Sequence, residues 1–386
     1  MSNPNRNLPY SRQWIDDDDI RAVLDVLKSD YITQGPKVGE FEAALARYCG
    51  AQYAVVFATG TAALHAAYYA AGLKPGEEII TSPITFAATS NAALYLRASP
   101  VFVDIEPDTG NIDPRLIEEK ITSRTRLIAP VHFSGHPVDL DGVHEIARRH
   151  HLLVVEDACH ALGAKYKGRK IGSLSDMTAF SFHPVKPITT AEGGAVLTNN
   201  EQFYTKLRLF SSHGITRNPN QLRKKNEGPW YSEMLCLGYN FRITDIQCAL
   251  GISQLGKLDS FLAGRRKIVS LYQEAFLNDT RILIPREKNY ASSSWHLLSS
   301  RLSKALKDRR RDIFEALHSH RIMAQVHYIP VYLHPYYQDL GFRPGLCPCA
   351  EEFYESEISL PVFYGMTGEE TLYAIETLKD ILSRYS

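Results

Sequence analysis

The sequence predicts an α/β fold: a large domain on a mainly parallel sheet, then a smaller α+β domain. Three observations carry that expectation. Short apolar runs alternate with helical patterns between Tyr53 and Ala158, as in a parallel sheet covered on both faces. The unusual residues, Gly60-Thr61, Pro83 to Phe86, Asp157 and the segment around Lys186, follow such runs, where these sheets gather ligands. After Asp245 the texture turns to helical patterns with few strand-like stretches. A chain of 386 residues also makes two domains the natural expectation.

Asp16 to Lys28 reads as a helix. Four aspartates at its start suit the positive end of the dipole, and Ile20, Val23, Leu24 and Leu27 form an apolar stripe. Ser29 to Pro36 is irregular. YAVVF is a short buried strand that runs through ATGTAA into a helix, Ala62 to Ala71. EEIIT is the next strand, followed by a helix near Phe86 to Leu96. SPVFVD and RLIAPVHF are strands, Leu140 to Arg149 a helix and HLLVVEDA a buried strand. Helical patterns run from Ile246 to about Leu277, SSSWHLLSSRL is strand-like, and helices are expected near Arg309 to Ser319 and Glu369 to Tyr385. The expected division is 1–35 as an N-terminal segment joining the small domain, 36–255 as the large domain and 256–386 as the smaller one.

Lys plus Arg equals Asp plus Glu, 43 each, a balance that points to neither nucleic acid nor membrane as partner. MSNPNRNLPY has no apolar core for a signal peptide, and no later stretch is long and apolar enough to span a bilayer, so the cytoplasm is expected. The six cysteines are scattered, as reduced thiols would be. Cys347 and Cys349, in GLCPCAEE, lack a second ligand pair nearby and read as a loop rather than a metal site.

Three segments carry candidate chemistry. FATGTAALH ends a strand, turns on Gly60-Thr61 and opens a helix, so its amides suit a phosphate. From these residues alone, an ordinary βα turn with a threonine cap is the favoured reading. VVEDACH delivers Glu156 and Asp157 to the end of a buried strand. A carboxylate there serves as a helix cap, a metal ligand or the partner of a cationic ring nitrogen. AFSFHPVKPITTAEGGAVLTN holds Lys186 in a polar loop, with Ser181, His183 and Glu192-Gly193-Gly194 around it. A lysine partly desolvated there would have a lowered pKa and form a Schiff base. Phosphate cup, acid and lysine together make a pyridoxal-phosphate site.

ITQGPKVGEFE, EDACHALGA, GSLSDMTAFSFHPVKPITTAEGGAV and GYNFRITDIQCALG resemble the DegT-type nucleotide-sugar aminotransferases, of the fold-type I pyridoxal-phosphate class. The resemblance runs over nearly the whole chain. SFHPVKPITTAEGG, AQVHYIPVY and YESEISLP are most similar to the branch that aminates a UDP-linked keto sugar on the route to pseudaminic acid, which decorates bacterial flagella and surface polysaccharides.

The resemblance implies pyridoxal 5′-phosphate as cofactor, L-glutamate as amino donor and C4 of UDP-2-acetamido-2,6-dideoxy-β-L-arabino-hexos-4-ulose as acceptor. Lys186 would carry the cofactor covalently, and Asp157 would keep its ring nitrogen protonated. His160 would lie near the phenolic oxygen and Phe86 would stack on the ring. Gly60, Thr61 and Ser181 would hold the phosphate. Asn240 would reach the cofactor of a second subunit, which requires a homodimer. Tyr10, Asp30, Tyr31, Ile32, Thr33, His327, Tyr328, Ile329 and Pro330 would contact the sugar nucleotide, joined by Gly60, Ser181 and Asn240.

Plainer readings stand beside these. Phe86 could be core, Asn240 a helix cap, and His327 and Tyr328 a half-buried strand edge. Arg223-Lys224-Lys225 reads as a solvated loop. Family members carry Gln or His at position 160. Relatives that remove a sugar hydroxyl carry histidine where this chain has Lys186, which argues against that chemistry. The rival functions are amination of another nucleotide-linked 4-keto-6-deoxy sugar, a non-catalytic sugar-nucleotide regulator, and a pyridoxal-phosphate lyase or decarboxylase.

Overall fold

The computed structural model describes residues 7–225 and 227–385; the polar start, residues 1–6, lies outside the described residues. The large domain is a seven-stranded sheet. Its strands are β1 (Tyr53–Phe57), β2 (Glu78–Thr81), β3 (Ser99–Phe102), β4 (Thr125–Ala129), β5 (Leu153–Asp157), β6 (Met177–Ser181) and β7 (Gly194–Thr198). Their order is β1-β7-β6-β5-β4-β2-β3. All neighbours run parallel except β7, which is antiparallel to both β1 and β6.

That exception positions the site. β6 and β7 form a hairpin with Ser181 opposite Gly194, and their long loop carries Lys186. The loop emerges at the C-terminal ends of β1 and β5, so Phe57, Asp157 and Ser181 all finish at one edge of the sheet. β4 and β5 are buried almost throughout by apolar residues such as Leu127, Ile128, Val154 and Val155, as a sheet covered on both faces requires.

Helix Gly60–Ala70 is buried on nearly every side, which its small residues allow. Asp16 caps helix Asp17–Leu27. Asp19 in that first turn does more than meet the dipole. It is fully buried and takes hydrogen bonds from Ser253 and Gln254 and an ion pair from Lys257, all on helix Asp245–Ala275.

This long helix passes through residue 255 without a break. Cys248, Leu255, Leu258, Phe261 and Leu262 belong to the large-domain core, whereas Ile268, Val269 and Tyr272 belong to a second core. That second core includes an antiparallel sheet, β8 (Ile282–Leu283), β9 (Leu298–Leu302) and β10 (Glu357–Leu360), and helices Arg310–Ser319 and Gly368–Ser383. The N-terminal segment reaches it by pairing Leu8 with Ile322. Among the described residues no helix is long and apolar enough to cross a membrane.

Candidate active site

A cleft of about 690 Å³ opens at the C-terminal edge of the large sheet, closed on one side by the segment Gln325 to Tyr328 of the small domain. Of the expected residues, Tyr10, Gly60, Thr61, Phe86, Asp157, His160, Ser181, Lys186, His327 and Tyr328 line it.

The β1 turn carries a threonine cap. Thr59 caps the helix, taking the Ala62 N–H on its hydroxyl at 3.0 Å and the Ala63 N–H on its carbonyl. That leaves the amides of Gly60 and Thr61 at the mouth of the helix, on the cleft. Only glycine fits at position 60, because an added Cβ would stand 2.7 Å from the Ser181 Cβ. At Gly194 it would stand 2.5 Å from the Thr59 carbonyl oxygen. These glycines bring helix mouth and Ser181 together, a cradle suited to a phosphate group.

Asp157 is buried at the end of β5. Thr89 donates its hydroxyl to Oδ2 at 2.6 Å, and the Cys159 N–H donates to Oδ1 at 3.1 Å. Behind it, Glu156 points to the opposite side and takes the His132 Nε2–H at 2.6 Å, both side chains being fully buried. The Lys186 ammonium lies within the electrostatic reach of Asp157. Burial lowers its pKa, and the Cys159 and Asp157 charges only partly offset this. A greater share of neutral amine follows, as a nucleophilic lysine requires.

His160 accepts the Ser134 backbone N–H on Nδ1 at 3.3 Å. Ser134 holds φ at 61°, a left-handed conformation that sends its amide toward the ring. Nδ1 is thus an acceptor and Nε2 carries the proton, 3.3 Å from the Tyr328 hydroxyl. Burial, then the Lys186 and His327 charges, holds the His160 pKa well below the usual histidine range. Phe86 is 62% exposed, so it is not core. His327 is buried, and its ring lies 5.2 Å from that of Tyr10. The His327–Tyr328 peptide bond is cis.

Asp30, Tyr31, Ile32, Thr33, Asn240, Ile329 and Pro330 do not line the cleft. Asp30 to Thr33 and Asn240 are exposed, and both flank the start of helix Asp245–Ala275. Thr33 bridges to Thr244, and Asn240 bridges to Ser212. Thr244, not Asn240, caps that helix. Arg223-Lys224-Lys225 is exposed, with the first two amides donated to Glu233. Cys347 and Cys349 straddle the start of helix Pro348–Ser356, where Asp104 accepts the Cys349 and Ala350 amides.

Three residues that line or support the site were not anticipated. Thr89 fixes Asp157, Ser134 fixes the His160 tautomer, and His296 packs on His160 with ring centroids 4.4 Å apart. Only the run PITFAATS, which leads from the end of β2 into the first turn of helix Ala88–Tyr95, offered a signal for Thr89.

Residues 13–379 match the DegT/DnrJ/EryC1/StrS aminotransferase family. The chain is 40% identical, over 98% of both chains, to the UDP-4-amino-4,6-dideoxy-N-acetyl-beta-L-altrosamine transaminase of Campylobacter jejuni. It is 39% identical, again over 98% of both, to the spore coat polysaccharide biosynthesis protein SpsC of Bacillus subtilis. A solved structure of a Streptococcus pneumoniae protein described as a sugar aminotransferase, in its PLP form, superposes with a TM-score of 0.92. It is 33% identical and covers 99% of this chain and 100% of its own.

Proposed function

Because the chain belongs to the DegT/DnrJ/EryC1/StrS aminotransferase family, and is thereby a PLP-dependent nucleotide-sugar aminotransferase, we propose a specific reaction for it. It moves the amino group of L-glutamate to C4 of UDP-2-acetamido-2,6-dideoxy-β-L-arabino-hexos-4-ulose. The product is UDP-4-amino-4,6-dideoxy-N-acetyl-β-L-altrosamine, made in the cytoplasm for pseudaminic acid. The choice of sugar is supported by the 40% identity to the Campylobacter jejuni enzyme.

The chemistry rests on one observation: Lys186 and Asp157 line one cleft, at which Gly60 and Gly194 let the helix mouth approach Ser181. Pyridoxal phosphate, when bound, supplies an electrophilic aldehyde and a ring that accepts the electron pair left at the reacting carbon. The amides of Gly60 and Thr61 and the Ser181 hydroxyl would hold its phosphate. Asp157, fixed by Thr89 and the Cys159 amide, would keep a proton on the ring nitrogen. His160 would offer Nε2–H to the cofactor's phenolic oxygen, and Phe86 would pack against its ring. Lys186 Nζ would hold the cofactor's aldehyde and, when free, would take the proton from the glutamate α-carbon and later deliver one to sugar C4. Donor and acceptor use the same group in turn, so ping-pong kinetics follow.

Tyr10, His327 and Tyr328 bind the sugar nucleotide from the small-domain side. Asp30 to Thr33 and Asn240, exposed and outside their own cleft, serve the cleft of a second copy in a homodimer. Trp230, Met234 and Leu237, each 65–78% exposed, form the apolar surface such a contact would cover.

The Bacillus subtilis relative, of nearly equal identity, favours a second reading, amination of another nucleotide-linked 4-keto-6-deoxy sugar. Incubating the enzyme with L-glutamate and a panel of such sugars separates the two. The proposal requires the altrosamine product to form with the highest kcat/KM, and fails if a differently configured sugar is preferred.

A further inference from the structure

Glu357 stands behind the cleft with no part in the machinery above. It is fully buried on β10 and forms no ion pair among the described residues. Oε1 accepts the hydroxyls of Ser299 at 2.8 Å and Ser359 at 2.5 Å, and Oε2 accepts the His327 backbone N–H at 2.7 Å. The Ser359 hydroxyl oxygen is also 2.8 Å from His327 Nδ1. His327 Nε2 bonds no protein group among the described residues, and the side chain lines the cleft.

Ser359 has a single proton to give. With Glu357 ionised, that proton goes to Oε1, so His327 Nδ1 must carry a proton and donate it to Ser359. The ring then offers the cleft a bare Nε2. With Glu357 protonated, the carboxyl donates to Ser359, Ser359 donates to Nδ1, and the ring proton sits on Nε2. We infer that Glu357, acting through Ser359, sets whether His327 turns a hydrogen-bond acceptor or a donor to the cleft. The change balances as a relay. One proton enters at Nε2 from the cleft, the Nδ1 proton passes to Ser359, and the Ser359 proton passes to Glu357.

The surroundings put this switch near neutral pH. Burial pushes the Glu357 carboxyl up to about 8, opposed by its three donors and by Arg310. Arg310 itself is engaged by the Tyr354 carbonyl. The other titratable groups facing this pair are Tyr328, Tyr10, His160, His296 and, across the cleft, Lys186. Burial and Lys186 hold His327 down to about 3, so its ring stays neutral and only the tautomer changes. Glu357 and Ser359 are positioning residues. Their effect on turnover rests on the proposed contact of His327 with the sugar nucleotide.

The test is 15N-histidine NMR of the PLP-loaded enzyme between about pH 6 and 9.5, with His327 assigned by its loss in His327→Gln. The expected result is Nε2–H at low pH and Nδ1–H at high pH. Glu357→Gln, whose amide oxygen faces the His327 N–H, should hold the Nε2–H form throughout. Ser359→Ala should remove the pH dependence, and keeps the test open if the first variant does not fold. In parallel, KM for the UDP-linked keto sugar should change about fivefold across the range in wild type and stay flat in both variants. One His327 tautomer at every pH in the wild type overturns the inference. A tautomer switch with unchanged KM upholds the relay and removes His327 from the sugar site instead.

Discussion

The Thr89 hydroxyl donates to Oδ2 of Asp157 at 2.6 Å, and this buried bond fixes the carboxylate that the cofactor ring must meet. Thr89→Val keeps the shape and removes the donor. A hydrogen bond to an ionised group contributes about 1.5–3 kcal/mol, so PLP should bind roughly tenfold or more weakly. Titrating the apoenzyme with PLP by absorbance checks this. Unchanged affinity would mean that the Cys159 amide alone suffices.

At Gly60 a methyl group would meet Ser181 at 2.7 Å and push the helix mouth away from it. Gly60→Ala should weaken PLP binding by at least about tenfold while leaving the affinity for unphosphorylated pyridoxal nearly unchanged. Equal losses for both ligands would place the phosphate elsewhere.

Burial holds several histidines below the usual range, with His65 and His136 at about 4. Such a group binds more protons unfolded than folded. Its contribution is therefore complete above about pH 6.5 and is lost as pH falls from there toward about 4, by roughly 1.4 kcal/mol per pH unit per histidine. His65 packs among Tyr95, Phe210, Tyr239 and Phe241, and its Nε2 has no hydrogen-bond partner among the described residues. His65→Phe should make the acid slope of stability shallower by about one proton. Urea unfolding at a series of pH values would show an unchanged slope if this is wrong.

The proposed sharing of sites between subunits predicts complementation. Lys186→Ala and Asn240→Ala are each expected to be inactive. Mixed under conditions that exchange subunits, they should recover about a quarter of wild-type activity, the share of intact sites after random pairing in a two-fold dimer. No recovery, with mixed dimers present by native mass spectrometry, would place Asn240 in its own subunit's site or outside both.

The parts of the site legible in the sequence are those set by one strand and the loop after it. Gly60, Asp157, Ser181 and Lys186 follow apolar runs, and parallel strands deliver such residues to one edge. The pairs that orient them join distant segments and leave no spacing to read: Thr89 with Asp157, Ser134 with His160, Ser359 with His327. Tyr10 enters the cleft region because Val362 donates its amide to the Tyr10 carbonyl, a contact across most of the chain. Asp19 was legible as a helix-start acid, but its burial against Ser253, Gln254 and Lys257 was not. The large domain was legible because its strands and helices alternate locally. Helix Asp245–Ala275 was legible as a helix, but the handover from one core to the next, between Leu262 and Ile268, was not, since one unbroken helix serves both cores.

The central claim is that Lys186 holds the cofactor and moves the proton. The most direct measurement is the visible spectrum and single-turnover amino transfer of Lys186→Ala and Lys186→Arg after incubation with PLP. The account predicts that both lose the absorbance band of covalently bound cofactor and show no transfer from L-glutamate, while their thermal unfolding stays near that of wild type. A variant that keeps the band, or still aminates the sugar nucleotide at a rate near wild type, would contradict it.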